Sequence, residues 1–198
     1  MEKEMKKLCL DFANTLQWHA SENPQEHLNS YKDLMDWGHK KGILSEIDIQ
    51  KLNREARRKP DASEKVLKRA IELREAIYRI FSAVAAGAHP EAGDLSILNR
   101  DLAKTMAQSR ITPTKDGFTW DINGNKEELD WMLKPIVRSA ADLLTSNELD
   151  RVKECADDKG CGWLFMDRSR NRSRRWCDMK DCGNRAKAKR FYIRKQKK

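Results

Sequence analysis

Four of the five cysteines stand in the last quarter of the chain, in an arrangement suited to holding a metal ion. Cys155 and Cys161 are separated by five residues and Cys177 and Cys182 by four, with fifteen residues between the pairs. Two short Cys-turn-Cys segments brought together supply the four soft ligands that zinc takes in a tetrahedron. Each pair closes on Cys-Gly, at Cys161-Gly162 and Cys182-Gly183. A glycine there lets the backbone enter the left-handed region, so that the next amides point at the sulfurs. With cysteine at all four positions there is no open site for a catalytic water. The four histidines, His19, His27, His39 and His89, show no metal or triad spacing, and no glycine loop of the phosphate-cradling kind is present. Nothing here points to an enzyme.

Two disulfides would need an oxidising compartment. The opening residues 1–7, followed by an apolar stretch broken at Asp11, are too short and too polar for a signal-peptide core or a membrane span. The expectation is therefore a cytoplasmic zinc protein with Cys155, Cys161, Cys177 and Cys182 as ligands and no membrane partner. Cys9, among Leu8, Leu10 and Phe12, reads as a small buried hydrophobe.

The charge of the chain is concentrated around these cysteines. Of its net +9, residues 151–198 carry +11, from 17 basic and 6 acidic side chains, and the first 150 residues carry −2. Between the cysteine pairs, two short apolar stretches around a polar tip predict a β-hairpin linking the knuckles. Arg168, Arg170 and Arg172 occupy the tip, and Arg174 and Arg175 precede Cys177. After Cys182, Asn184 reads as the N-cap of a basic helix bearing Arg185, Lys187, Lys189 and Arg190. A solvated basic face is the ordinary explanation of such a run. A module this small cannot hold these cations far apart, however, and six or more of them facing a phosphate backbone give strong, salt-sensitive binding.

These residues resemble the CGNR zinc-finger family of bacterial transcription regulators. The resemblance rests on Cys161-Gly-Trp-Leu-Phe165, Asp167, Ser169-Arg-Asn171, Arg174-Arg-Trp-Cys177 and Cys182-Gly-Asn-Arg185, and it covers about residues 150–192. It implies zinc on the four cysteines and DNA contacts from the basic residues around them. Phe191-Tyr-Ile193 departs from the family, which continues the helix with basic residues; packing these three onto the hairpin would narrow the face open to nucleic acid. The first half resembles the ABATE domain that precedes this finger and implies sensing of a ligand or stress. That resemblance rests on Leu8-Cys-Leu-Asp-Phe-Ala-Asn-Thr15, Leu73-Arg-Glu75 and Arg138-Ser-Ala-Ala-Asp-Leu143.

The elements that must position these groups are mostly helical. The expected fold class is mainly α: a helical domain over residues 1–147 with one small β-hairpin, then a four-cysteine module over 148–198. Leu8, Phe12 and Leu16 start a first helix, and Tyr31, Leu34, Met35 and Trp37 mark a second. Ser45 with Asp48 opens a third, ending at Arg58. The clearest helix spans 63–86, closed by Gly87. Leu95, Leu98, Leu102 and Met106 form the next, and Phe118, Trp120 and Ile122 alternate after Asp116-Gly117 as in a hairpin. An amphipathic helix carries Leu129 to Leu144, and Pro135 within it predicts a kink or an N-terminal break. A short helix over 146–154 leads into the module. Zinc is expected to support residues 150–198 alone.

Arg74 is the exception on its helix, with Leu67, Ala70, Ile71, Ile77, Tyr78 and Phe81 sharing its face. A charge placed there must be paired. The expected partners lie in the opening helix, where Asp11, Asn14, Thr15 and Trp18 share a face. Two readings stay open: a structural Arg74–Asp11 ion pair, or a pocket for a small anionic or polar ligand lined by Asp11, Asn14, Thr15 and Arg74, with Arg138 as a weaker member. Duplex DNA is the favoured partner of the basic module. RNA binding and a protein-interaction zinc module are the rivals, and a homodimer would extend the few base pairs that one finger can read.

Overall fold

The computed structural model describes residues 7–115, 117–122 and 127–196. The chain begins with helix α1 (Leu8–Ala13), strands β1 (Leu16–Gln17) and β2 (Gln25–Glu26), and helices α2 (Tyr31–Lys40) and α3 (Glu46–Arg58). Helices α4 (Pro60–Ala85) and α5 (Ala92–Ala107), strands β3 (Ser109–Thr114) and β4 (Gly117–Ile122) and helix α6 (Leu133–Leu144) follow. A 3-10 turn (Leu149–Arg151), strands β5 (Val152–Glu154) and β6 (Leu164–Met166) and helix α7 (Cys182–Gln196) complete the chain. No helix among the described residues is long and apolar enough to cross a membrane.

Local signals account for most of the boundaries. The Ser45 side chain accepts from the Asp48 amide while the Asp48 carboxylate accepts from the Ser45 amide, a capping box that starts α3. Pro60 opens α4 and Gly87, at φ +72, closes it. Pro135 is the third residue of α6, within the first turn where amides need no helical partner, so it starts the helix instead of kinking it. The β3–β4 pairing, Ile111 opposite Trp120 and Pro113 opposite Phe118, forms the expected hairpin; of the Asp116-Gly117 pair, Asp116 lies outside the described residues.

Two expected elements change. The opening helix stops at Ala13, because the Asn14 side chain leaves to bond the backbone of Leu164 and Leu16 pairs with Glu26 across β1–β2. Trp18 therefore does not share a helix face with Asp11, and it takes φ +55. The segment 146–154 is a 3-10 turn followed by a strand, since Val152 is drawn into a ladder with Met166.

The main core extends from the helices to strands β5 and β6, and a second, smaller cluster surrounds the four cysteines. Phe12, Leu34, Met35, Leu52, Leu73, Ile77, Phe81, Met132, Ile136 and Val137 pack together with Val152, Leu164 and Met166. The compositional boundary near residue 148 thus does not coincide with a break in the core.

Arg74, with its side chain only 2% exposed, is paired, but not with Asp11. Its Nη1 and Nη2 donate to the two oxygens of Glu26 at 2.6 and 2.7 Å, and its Nε donates to Glu75 at 3.0 Å. Asp11 instead holds Lys41 at 2.6 Å near the surface. The bent chain after Ala13 brings β2, and with it Glu26, over α4. Arg74→Met is therefore expected to leave Glu26 without its charge partner, while Glu75 keeps His19 at 3.0 Å, and to cost about 3 kcal/mol. Asp11→Asn removes only a half-exposed pair and should change stability by less than about 1 kcal/mol. Paired urea titrations of the two variants check this, and equal losses would contradict it.

The same cluster sets a pH dependence. Burial alone would raise the Glu26 and Glu75 carboxyls. For Glu26 this is outweighed by hydrogen bonds from Arg74, and for Glu75 by the His19 hydrogen bond and the Arg74 charge, so both end below the usual carboxylate range. Carboxylates with depressed folded-state values stabilise the fold above about pH 4.3, the ordinary glutamate value, and that contribution falls away as pH drops further.

Candidate metal centre and nucleic-acid interface

Strands β5 and β6 form an antiparallel pair, with Glu154 opposite Leu164, and the first cysteine knuckle is the connection between them. The hairpin therefore spans Cys155 and Cys161. The hairpin expected between the two cysteine pairs does not form, because the strand before Cys155 takes β6 as its partner. The residues before Cys177 run without strand structure instead, with the Ala156 amide donating to the Arg175 carbonyl. The tip over residues 167–174 is closed by buried Asp167, whose carboxylate accepts from the amides of Ser169 and Arg174, both at 2.8 Å.

The four sulfurs of Cys155, Cys161, Cys177 and Cys182 lie within 4.8 Å of one another. Cys161–Cys177 is 3.7 Å and Cys177–Cys182 is 3.6 Å. Zinc–sulfur bonds of about 2.3 Å in a tetrahedron put sulfurs about 3.8 Å apart, so the donor set fits a structural zinc ion. Hydrogen bonds from Cys161 and Cys177 hold the Cys155 thiol below its ordinary value, while those two thiols, as its donors, are raised. Burial raises Cys182. Metal ligation requires the sulfurs as thiolates, so zinc binding releases protons and weakens as the pH falls.

The glycines of the two knuckles play different parts. Gly160 and Gly162 take φ +82 and +63, and a Cβ on either would meet Ala20 or the Tyr78 hydroxyl at 2.6–2.7 Å. The first knuckle thus rests directly on the segment after β1. Gly183 is not left-handed, because α7 begins at Cys182 itself. For the same reason Asn184 is not an N-cap. It lies inside the helix, and its side chain donates to the Lys180 carbonyl at 2.9 Å.

Several further contacts join the metal centre to the helical part of the chain. Asn14 behaves as a short strand beside β6, donating to the Leu164 carbonyl and accepting from its amide, both at 2.9 Å. Tyr78 and Ser82 on α4 donate to Glu154 at 3.1 and 2.5 Å, and the His19 ring stacks on Tyr78 at 3.4 Å. Trp18 packs with Phe165, Trp163 and Trp176 against the cysteines. The sequence gives little warning of this packing, since Trp18 and His19 lie more than a hundred residues from the knuckle.

The ten polar and basic residues expected to meet nucleic acid fall into distinct groups. Arg168, Arg170, Arg175 and Lys187 make no ion pair among the described residues, and Arg168, Arg170 and Arg175 are held at or near the surface of the tip and the segment before Cys177. Arg175 and Arg190 both lie over Trp176, at 5.4 and 5.6 Å, so the segment before Cys177 and helix α7 present cations to one patch. Arg172 pairs with Asp150 and Lys189 with Asp158 at the surface. Arg174 donates to the carbonyls of Trp176 and Cys177 and covers Phe165. Arg185 is mostly enclosed, held by Asp157. Phe191, Tyr192 and Ile193 do not pack on the hairpin; they are 63%, 64% and 43% exposed.

Of the residues expected to line a ligand pocket, Asp11, Asn14 and Thr15 share a cavity of about 350 Å³, together with Gln17, His27, Trp37 and Trp163. Arg74 lies outside it, neutralised by two carboxylates, and Arg138 lies elsewhere, bonded to Asp142 and over Trp120. Trp163, which follows the first knuckle, also lines the cavity, and nothing in the sequence marks it as a neighbour of α1.

Comparison with protein families matches two models to the chain. Residues 151–195 match the CGNR zinc finger. Residues 6–147 match ABATE, described as "Putative stress-induced transcription regulator". No curated protein matches the chain. Since the ABATE model spans the greater part of the sequence and the zinc-finger model coincides with the four-cysteine centre, the chain belongs to the ABATE family and carries a CGNR zinc finger as its C-terminal portion.

Proposed function

We propose that this zinc protein is a transcription regulator that binds duplex DNA through its four-cysteine module, with the helical part sensing a small polar ligand. The observation that carries the reading is the set of exposed cations that make no ion pair among the described residues, Arg168, Arg170, Arg175 and Lys187, with Arg175 over Trp176, in a segment of net charge +11. Free guanidinium and ammonium groups collected on a rigid metal-held module are what phosphate recognition requires. Ligand sensing is supported by the cavity at Asp11, Asn14, Thr15 and Trp163, where a bound molecule would touch both the helical part and the first knuckle. Arg74, held by Glu26 and Glu75, is not available to anchor an anion, which favours a polar ligand over a charged one fixed on that guanidinium.

A second reading has its own support. Phe191 and Tyr192 stand exposed on a basic helix, and single-stranded RNA is held by exposed aromatic rings interleaved with cations. Selection from a random duplex pool with structured RNA as competitor separates the two. Enrichment of a duplex motif is the expected result. Enrichment of RNA, or none at all, would overturn the DNA reading.

A further inference from the structure

Arg185 differs from its basic neighbours. Its Nη2 lies 2.8 Å from the sulfur of Cys182, and its Nε and Nη2 lie 3.1 and 2.6 Å from one oxygen of Asp157. Nη1 pairs with Asp181, one turn earlier. The guanidinium also sits 5.0 Å from the centre of the Trp18 ring. We propose that Arg185 is a positioning residue of the metal centre, tying the Cys182 ligand to the first knuckle and to the helical part of the chain, and is not a nucleic-acid contact.

Charge explains the need for such a residue. Zinc with four thiolates carries a net −2, and three of the four cysteines here are buried. Asp157 adds another anion with a side chain that is 0% exposed. A partly enclosed cluster of that charge needs a cation close by. Arg185 supplies it through a planar fork that reaches the carboxylate and the thiolate together, which the single ammonium of a lysine cannot reproduce. Moving this guanidinium to a phosphate would leave Asp157 buried and unpaired, which the fold resists.

The Trp18 contact extends the same clamp to the helical part. Trp18 holds φ +55, a conformation that a bulky residue keeps only where its surroundings fix it. Its ring is fixed between the cysteine cluster and the Arg185 guanidinium. Lys187, two residues along α7, is by contrast exposed and makes no ion pair among the described residues, as a phosphate contact should be.

The test compares full-length Arg185→Gln, Asp157→Asn and Lys187→Ala proteins. Zinc affinity is measured by competition with a chromophoric chelator, and the cobalt-substituted forms report on the ligand sulfurs. Arg185→Gln is expected to lower zinc affinity about 10–100-fold, as removal of a partner from a metal ligand does elsewhere. Removing a cation from the Cys182 sulfur should also move the thiolate-to-cobalt charge-transfer band to longer wavelength, with the tetrahedral bands retained. Mere local unfolding would instead diminish both sets of bands. Asp157→Asn, which makes the chain more basic, should weaken zinc binding too, and it carries the test if Arg185→Gln does not fold. Lys187→Ala should leave zinc affinity and the cobalt spectrum unchanged. Unaltered zinc affinity and charge-transfer energy in Arg185→Gln and Asp157→Asn would overturn the proposal. So would a duplex-binding salt slope that falls by about one in Arg185→Gln, the mark of a cation that had been neutralising a phosphate.

Discussion

Stripping zinc from the full chain is expected to disturb the helical part as well as the four-cysteine segment. A structural zinc ion contributes on the order of 10 kcal/mol to the folding of the module that binds it. Helix α7 begins on a ligand, Cys182, and so should lose its helical signal when the metal leaves. Composition alone confines that effect to residues 150–198. The packing does not, because Val152, Leu164 and Met166 belong to the main core. The backbone of Leu164 is bonded by Asn14, and Glu154 by Tyr78 and Ser82. Loosening the knuckle should therefore lower the melting temperature of the helical part and speed hydrogen exchange in α4 near Tyr78. Unchanged α4 exchange after chelation, with α7 unfolded, would show that the two parts are energetically separate.

The second large effect concerns charge. Replacing Arg168, Arg170, Arg175 and Lys187 together by alanine should reduce duplex affinity steeply at low salt and flatten its salt dependence. Each cation withdrawn from a phosphate lowers the log–log slope by about 0.9. If all four meet phosphates, the slope falls by roughly 3.6. The weakening should be similar across duplex sequences, since phosphate contacts carry little sequence information. Zinc content and thermal stability should stay close to the parent, because none of the four makes an ion pair among the described residues. A variant with parental affinity at every salt concentration would move the binding surface elsewhere, with the exposed Phe191 and Tyr192 as the next residues to test.

Some features of the molecule are legible in the sequence and others are concealed, for identifiable physical reasons. The metal ligands can be read because zinc imposes ligand type, number and short-range spacing, all of which are local in sequence. The start of α3 and the end of α4 can be read for a similar reason: Ser45 and Gly87 mark ends through the backbone chemistry of their own turn. Arg74 announces that it must be paired, since all six neighbours on its face are apolar. Its partners do not announce themselves. Glu26 arrives from a strand that exists only because α1 stops at Ala13, and α1 stops because Asn14 is used 150 residues away at Leu164. That is a tertiary choice with no local signature. The β5–β6 pairing is hidden in the same way. The apolar stretch Leu164–Met166 can pair forward or backward, and Val152 settles it from the other side of the knuckle. The role of Arg185 is obscured by composition, since one arginine in a basic helix looks like the next until its carboxylate and sulfur partners are placed in space.

The central claim, that the metal-held module binds duplex DNA, is tested most directly by measuring duplex affinity of one preparation in three states. These are zinc-loaded, stripped by chelator, and reloaded with zinc, each titrated at several salt concentrations against a sequence enriched by selection. The predicted result is tight, salt-sensitive binding in the loaded state, loss of the enriched sequence's advantage over random duplex in the stripped state, and recovery on reloading. Equal affinity and equal sequence preference in all three states would contradict it.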